Sequence, residues 1–267
     1  MAKVELEKMS WTEVRDLDRE KTVMLIPIGT VEQHGPAGIL GSDYVVAYRF
    51  SAQVAEASRD LAVTPPVCYG LSHSFKHFPG TLSIRPSTLE ALLRDVCEAL
   101  ISHGFKKLIF VNSHAGNEPS CENVAREILD THGITMGLVF PWRLSMHLSR
   151  DLYENPAKSF GHGAEPTISV MMHLFPGQVD ESRLAAGTTK PTGSLKTLSA
   201  SKVEYKGYPL GLYRYTEAVN ELGASADPEG ASAEKGKIIF ERMVEYGVGA
   251  IDELRKFIGP GISRQAT

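Results

Sequence analysis

The sequence predicts an α/β fold in which helices cover both faces of a mostly parallel sheet. Short apolar segments typical of buried strands alternate along the chain with longer amphipathic segments typical of helices. The apolar share of 42% and the charged share of 22% are ordinary for a globular protein. A chain of 267 residues can bury a substantial core, and no repeat or low-complexity linker divides it. We therefore expect a single domain over residues 1–267.

Four apolar segments predict the strands of this sheet. VMLIPI, residues 23–28, predicts the first strand, and LAVTPPV, residues 61–67, predicts a strand that its prolines limit to an edge. KLIFV, residues 107–111, predicts a short buried strand, and ITMGLVF, residues 134–140, predicts another. Their lengths suit strands better than helices.

Helices are expected between and after these strands. The strongest helix pattern covers residues 87–104, because Ser87 and Glu90 match a capping box and Gly104 can end the helix. Residues 176–230, rich in Gly, Pro, Ser and Thr, predict an excursion of surface loops rather than a separate domain. Further helices are expected over 43–60, 118–133 and 232–247, with another helical stretch after the last.

Charge and cysteine content argue against several functional classes. A net charge of −4 offers no basic surface for nucleic acid or an anionic membrane. No apolar run approaches the roughly 20 residues that span a bilayer, and the charged N-terminal segment lacks the apolar core of a signal peptide. Three widely spaced cysteines, Cys68, Cys97 and Cys121, fit reduced thiols. We therefore expect a cytoplasmic protein without nucleic-acid or membrane partners.

Metal-binding residue types follow two of the predicted strands. GTVEQHG leaves the first strand with Glu32 and His34, NSHAGN leaves the KLIFV strand with His114, and Asp43 begins the next helix. Ligands of open α/β sheets bind outside the carboxyl ends of the strands, so these four side chains should meet at one rim. Imidazole and carboxylate suit Zn, Mn, Fe or Ni better than Ca. The four side chains could bind one metal ion. They could also bind two ions that lie about 3.5–4 Å apart and share a carboxylate, as in many hydrolases.

Two other interpretations of the same segments remain open at this point. A Glu and a His at a strand end also make ordinary hydrogen bonds or caps. The glycine-rich GPAGILG segment could cradle a nucleotide phosphate, although its spacing does not match G-x-G-x-x-G. P-loop, G-x-S-x-G and H-E-x-x-H motifs are absent from the sequence. A small-ligand or nucleotide-binding protein is therefore the alternative to a metal-dependent enzyme.

Four ordered motifs resemble those of the creatininase (creatinine amidohydrolase) family. PIGTVEQHGPAGILGSD is similar to the family's opening motif, and FPGTLSI, VNSHAGN and GHGAEPTISVMMHLFP resemble its later segments, so that the resemblance spans about residues 22–176. It implies a three-layer α/β/α fold, two divalent metal ions per subunit, and a homo-oligomer such as a hexamer. Zinc is the metal expected, with manganese or iron as alternatives.

The activity that the resemblance implies is hydrolysis of a non-peptide C–N bond. The substrate would be a small and often cyclic amide such as a lactam, or a formamide, with hydroxide generated at the metals as the nucleophile. The family also includes a formamide-cleaving deformylase and a peptidase of peptide-cofactor maturation. A member that has kept the fold and lost catalysis is a second alternative.

The resemblance also implies roles for individual residues. Glu32 and His34 match terminal ligands of different metals, Asp43 matches the bridging carboxylate, and His114 matches a further ligand. His162 matches the histidine that opens the last motif and is expected to transfer a proton to the leaving nitrogen.

This chain departs from the family where a second carboxylate is expected. Creatininase carries a glutamate two residues after its N-G-H histidine, whereas this chain has Gly116, and Thr167 stands where many relatives have the glutamate of E-T-S. We expect Glu165, one helical turn from His162, to be the fifth ligand and a catalytic group. An acid favoured at a helix N-terminus beside Pro166 is the alternative.

Three further ring side chains are weaker candidates. His73 and His77 could bind substrate or lie at an oligomer contact, and Trp142 could form a pocket wall or pack in the core. The histidines in helical or helix-end contexts are expected to be structural: His103, His132, His147 and His173.

Overall fold

A four-stranded parallel sheet lies at the centre of the computed structural model, which describes residues 3–261. Its strand order is β2–β1–β3–β5. The short strand β4 pairs instead with β9 in an antiparallel ladder. The bounds are β1 (Val23–Ile28), β2 (Leu61–Val63), β3 (Lys107–Asn112), β4 (Ile134–Thr135), β5 (Gly137–Val139) and β9 (Gly259–Pro260).

The helices lie between and after these strands. They are α1 (Trp11–Arg15), α2 (Ser42–Ala57), α3 (Pro86–Ser102), α4 (Glu118–His132), α5 (Pro141–Leu148), α6 (Pro156–Ser159), α7 (Thr167–Leu174) and α8 (Ala233–Leu254). Single 3₁₀ turns, among them His73–Phe75, Ala115–Asn117 and Thr216–Ala218, connect some of them. Every helix of the described chain is too short or too polar to span a bilayer.

The side chains of β1 divide the core into two halves. Val23 and Leu25 belong to a cluster formed with α2, α5, α7 and α8, whereas Met24 and Ile26 belong to a cluster with α3 and α4. Successive side chains of a strand point to opposite faces, so a strand buried on both faces reads as one continuous apolar run. Helices therefore cover both faces of the sheet, which confirms the predicted three-layer α/β/α class.

Three local predictions need correction. The helix predicted over 87–104 begins with Pro86 at its first turn and Arg85 as its cap, so the capping box from Ser87 does not form. The strand predicted over 61–67 ends at Val63, before two prolines. The apolar run 134–140 divides into β4 and β5, which pair with different partners.

The excursion predicted over residues 176–230 contains a small sheet that was not expected. Strands β6 (Lys196–Ser199), β7 (Lys202–Tyr205) and β8 (Tyr208–Gly211) form an antiparallel meander. Nearly all of its side chains are exposed or half-buried. Val203 is the one buried side chain in the described strands of this sheet, so the sheet does not form a core of its own.

Candidate metal centre

The register of the sheet brings the two motif loops to one level of the rim. Ile28, the last residue of β1, pairs with Asn112, the last residue of β3. The loop with Glu32 and His34 and the loop with His114 therefore leave the sheet side by side.

Asp43 reaches the same place from the first turn of α2 and lies between two histidines. Its Oδ1 is 3.3 Å from His34 Nε2, and its Oδ2 is 3.1 Å from His114 Nδ1. Glu32 Oε1 also lies 3.3 Å from His114 Nδ1. All four side chains are buried. The structure thus brings together the four ligands that were predicted from the rim.

Carbonyl groups orient both imidazole rings. The Nδ1–H of His34 donates to the Glu32 carbonyl at 3.1 Å, and the Nε2–H of His114 donates to the Leu71 carbonyl at 3.0 Å. A carbonyl only accepts, so the opposite nitrogen of each neutral ring carries a lone pair that faces the carboxylates. Such a second hydrogen bond is the usual device that orients a metal-binding histidine.

Lone pairs that face buried carboxylates need a cation between them. Glu32 Oε2 and Asp43 Oδ2 are buried and have no hydrogen-bond partner in the described part of the chain. Burial alone disfavours the imidazolium, yet Glu32 and Asp43 raise the pKa of His114 well above its ordinary value. Burial likewise disfavours the Asp43 carboxylate, but His34 and His114 lower its pKa. The site therefore favours positive charge beside both carboxylates, and its residues fit divalent metal ions.

His162 lies next to this cluster and is held firmly. Its Nε2–H donates to the Gln33 carbonyl at 2.7 Å, and its Nδ1 is 3.7 Å from Glu32 Oε1. The ring stacks between His34, at a centroid distance of 4.6 Å, and Phe75, at 4.3 Å. Burial, followed by the nearby His34, lowers the pKa of His162 to about 4, so the ring is neutral at pH 7.

The excursion fixes the backbone of His162 from the other side. The His162 N–H donates to Ser225 Oγ at 2.8 Å, and the Ser225 N–H donates to the His162 carbonyl at 2.8 Å. The Gln33 amide donates to the Gly223 carbonyl at 3.0 Å. The region that the sequence presented as surface loops is thus part of the site.

The structure does not bring Glu165 to the cluster, in contrast to its prediction as the fifth ligand. Its Oε2 accepts from the Tyr153 hydroxyl at 2.6 Å and its Oε1 accepts from the Ser169 hydroxyl at 2.8 Å. Burial raises the pKa of the Glu165 carboxyl. Among the described residues, two groups of side chains could each hold a metal ion: Glu32–His34–His162 and Glu32–Asp43–His114. Glu165 belongs to neither group.

Close packing explains why Gly116 carries no carboxylate. A Cβ at this position would fall on the Leu71 carbonyl oxygen and on His114 Nε2. The segment around residue 71 provides the carbonyl that orients His114, so a glutamate at position 116 would disturb the His114 ring. Close packing also explains Gly38, because a Cβ at this position would fall on the backbone and Cβ of His34. Gly38 of GPAGILG thus serves close packing around His34.

Two asparagines that the sequence did not single out brace the His114 loop. Asn112 donates from Nδ2 to the His114 carbonyl at 2.8 Å and accepts the His114 N–H at 3.2 Å. Asn117 donates to the Gly29 carbonyl at 3.0 Å and accepts the Leu71 N–H at 2.8 Å. Their place at the two ends of NSHAGN, directly after a strand, was the available signal.

The remaining candidates fall into two groups. Trp142 donates from Nε1 to Asp43 Oδ1 at 2.7 Å, and so orients this carboxylate while it also belongs to the apolar core. His77 pairs with Glu217, and both His73 and His77 lie against Tyr215 of the excursion. These two histidines join loops at the edge of the site and belong to neither metal-binding group of the described chain.

A cavity of about 590 Å³ opens above the cluster. Phe75, Phe140 and Trp142 form apolar parts of its wall, and Ser199 and Ser201 of the excursion form a polar part. A volume of this size suits a small-molecule substrate.

Comparison with known proteins agrees with this geometry. A family model described as creatininase, creatinine amidohydrolase, matches residues 7–251. The mycofactocin precursor peptide peptidase of Mycolicibacterium smegmatis is 31% identical over 248 residues, which cover 91% of this chain and 88% of the relative. The creatinine amidohydrolase of Pseudomonas putida is 26% identical over 262 residues, which cover 89% and 90%.

Solved structures show the same fold. A manganese creatininase has a TM-score of 0.75 at 24% identity, with 94% of this chain and 98% of that chain covered. A mutant creatininase of the Zn–Zn type has a TM-score of 0.74 at 24% identity, with 95% and 98% covered. Because the family model covers most of the chain and the curated relatives are matched along most of their length, this chain belongs to the creatininase (creatinine amidohydrolase) family of amidohydrolases.

Proposed function

We propose that this chain hydrolyses the C–N bond of a small amide, such as a lactam or a formamide, with two divalent metal ions. The observation that carries this proposal is the position of Asp43 between His34 and His114, beside buried carboxylate oxygens that have no hydrogen-bond partner within residues 3–261. Asp43 would be shared, with His34 on one ion and with Glu32 and His114 on the other.

The donor set and two structural neighbours support the choice of metal. Imidazole with carboxylate suits zinc, manganese or iron, and the neighbours are zinc and manganese forms of creatininase. We propose zinc, with manganese or iron as alternatives. Divalent ions bound here would polarise the substrate carbonyl and lower the pKa of water to about 7.

His162 is proposed as the proton-transfer residue. Its Nε2–H is engaged by the Gln33 carbonyl, so its Nδ1 lone pair is available on the side of Glu32. Nδ1 can take a proton from the attacking water while the water oxygen bonds to the carbonyl carbon of the substrate. It then returns this proton to the leaving nitrogen as the C–N bond breaks. The stacking between His34 and Phe75 holds the ring in place for both transfers.

Hydrolysis of a peptide bond is the second candidate, and the relative from M. smegmatis favours it because that protein is a peptide peptidase. A single panel can separate the two. We expect zinc- or manganese-loaded protein to hydrolyse at least one member of a set of lactams, hydantoins, formamides and short peptides. Hydrolysis would be measured by the appearance of the amine product. Inactivity of fully metal-loaded protein toward the whole set would support the catalytically degenerate alternative.

Organisation and location are part of the same proposal. We propose a single domain over residues 1–267 that works in the cytoplasm, in line with the free thiols of the three cysteines. We also propose a homo-oligomer, for which the family resemblance suggests a hexamer. Exposed Tyr205, Tyr208 and Tyr213 around the small sheet support this assembly.

Glu165 is proposed as a support of the His162 loop. Its N–H donates to the Ser159 carbonyl at 3.0 Å, and its carbonyl accepts the Gly161 N–H at 3.1 Å, so its backbone closes the turn around His162. Its buried carboxylate anchors this turn to Tyr153 and Ser169.

We expect Glu165→Gln to keep the full metal content and to lose about 1–3 kcal/mol of folding free energy, because a buried acceptor pair is replaced by an amide. Inductively coupled plasma mass spectrometry and thermal unfolding would measure the two effects. Glu154→Gln, an exchange at an exposed neighbouring residue, is the matched control. Loss of one metal from Glu165→Gln alone would restore Glu165 as a ligand.

A further inference from the structure

A second, smaller chamber adjoins the catalytic cavity. Its volume is about 190 Å³, and it shares Ser74, Phe75, His162, Ser199 and Ser201 with the larger cavity. The two spaces therefore meet at the stacked rings of Phe75 and His162. A group in the chamber would lie directly beside the proton-transfer residue.

The excursion builds most of the wall of this chamber. The excursion contributes five hydroxyl groups and one amide to the wall, from Thr189, Ser199, Ser201, Thr216, Ser225 and Asn220, and Ser74 adds a sixth hydroxyl. Among the described residues, no Asp, Glu, Lys or Arg side chain lines the chamber. An ionic group would find no counter-charge here, so the chamber suits an uncharged polar group.

Two of these hydroxyls have hydrogen-bonding capacity to spare. Thr216 is buried, and its Oγ1 has no hydrogen-bond partner among residues 3–261. Ser225 is exposed, and its Oγ accepts the His162 N–H, while the hydrogen of its own hydroxyl has no protein acceptor within the same residues. Buried polar groups are normally paired, and a hydroxyl donates one hydrogen bond. A ligand that offers oxygen acceptors would give the Thr216 hydroxyl its missing partner and would replace solvent water at the Ser225 hydroxyl.

We propose that this chamber is a substrate subsite for an uncharged group with carbonyl or hydroxyl oxygens. The proposal rests on the proposed function, and it defines the substrate as an amide with two parts: a scissile bond at the metal cluster and a polar extension beyond His162. At about 30 Å³ per water molecule, the chamber holds the equivalent of about six waters, which is the size of one amino-acid residue or a short polyol.

Three formamides of increasing size test the subsite. N-methylformamide has a scissile bond without an extension, N-formylglycylglycinamide adds an uncharged peptide, and N-formyl-3-amino-1,2-propanediol adds a diol. We expect kcat/KM to be at least about tenfold higher for one of the extended formamides, in line with one or two neutral hydrogen bonds. The better of the two shows whether the chamber takes peptide carbonyls or hydroxyls.

Two variants connect this gain to the chamber. Ala200→Phe fills the space at a wall residue whose side chain makes no hydrogen bond, and Thr216→Val removes a hydroxyl at nearly constant volume. Both should reduce the advantage of the extended substrate to less than about threefold and change N-methylformamide hydrolysis by less than about twofold. Ala157→Phe, at an exposed residue of α6, is the control for a surface ring.

Each outcome decides for or against the subsite. Equal kcat/KM for all three formamides in the wild type, or an equal loss for all three in Ala200→Phe, would overturn it. If metal-loaded wild type hydrolyses none of them, the proposed formamide activity fails separately. The subsite is then tested by saturation-transfer NMR with N-acetylglycinamide and glycerol, where binding to wild type that persists undiminished in Ala200→Phe, or no binding at all, overturns it.

Discussion

Asp43→Asn is expected to abolish hydrolysis and to remove at least one metal ion from each chain. The exchange keeps the shape of the side chain and removes the charge that both ions are proposed to share. Even outer-shell partners of a metal typically change its affinity 10–100-fold, so loss of the bridging carboxylate should cost more than about 100-fold. Calorimetric zinc titration and mass spectrometry would measure this loss directly.

The same variant should remain folded. Asp43 lies at the rim and makes no part of either apolar cluster. The Trp142 indole can still donate to the asparagine oxygen. Asp95→Asn, at an exposed position of α3, is the matched control and should keep metal and activity. Full metal content and activity in Asp43→Asn would show that another residue bridges the ions.

His162→Ala has the second-largest expected effect, a loss of about 10²–10⁴-fold in kcat with both metals retained. The loss should be greatest for amides with a basic leaving nitrogen, because their C–N bond breaks only when the nitrogen is protonated. Amides that release a weakly basic amine should lose less. A series of anilides and alkyl amides with one acyl group would show this trend.

Metal content separates this role from the alternative that the geometry also offers. His162 belongs to one of the two groups of the described chain whose ligand atoms lie close enough to share a metal. Loss of one ion from His162→Ala would make Nδ1 a ligand and would overturn the proton-transfer assignment. His132→Ala, at the exposed end of α4, controls for removal of an imidazole.

The central sheet could be predicted because its residues carry a strong local pattern. β1 is buried on both faces and therefore appears as six consecutive apolar residues. The small sheet β6–β8 could not be predicted in this way. Its strands are largely exposed, so no apolar alternation marks them, and Pro209 lies inside one of them.

The meeting of Glu32, His34 and His114 at one rim could be predicted because one topological rule places the two motif loops. The carboxyl ends of parallel neighbours meet, and the Ile28–Asn112 pairing brings the two motif loops to the same level. Family resemblance then added His162, which comes from a loop far along the chain.

Glu165 is a residue whose contacts could not be predicted from sequence spacing or family resemblance. Its spacing from His162 is compatible with a shared site, but its side chain binds Tyr153 and Ser169 instead. These hydroxyls lie on either side of it in the chain, and no spacing rule indicates that they compete with a metal for the carboxylate. The hydrogen bonds between Ser225 and His162 likewise join segments that are distant in the sequence, so no local pattern predicts them.

The number of metal ions per chain tests the central claim most directly. Wild-type protein is stripped with a chelator, loaded with zinc, freed of excess metal by gel filtration and measured by inductively coupled plasma mass spectrometry against amino-acid analysis. The dinuclear site predicts a ratio close to two zinc ions per chain. A ratio of one or less at saturating zinc would contradict it.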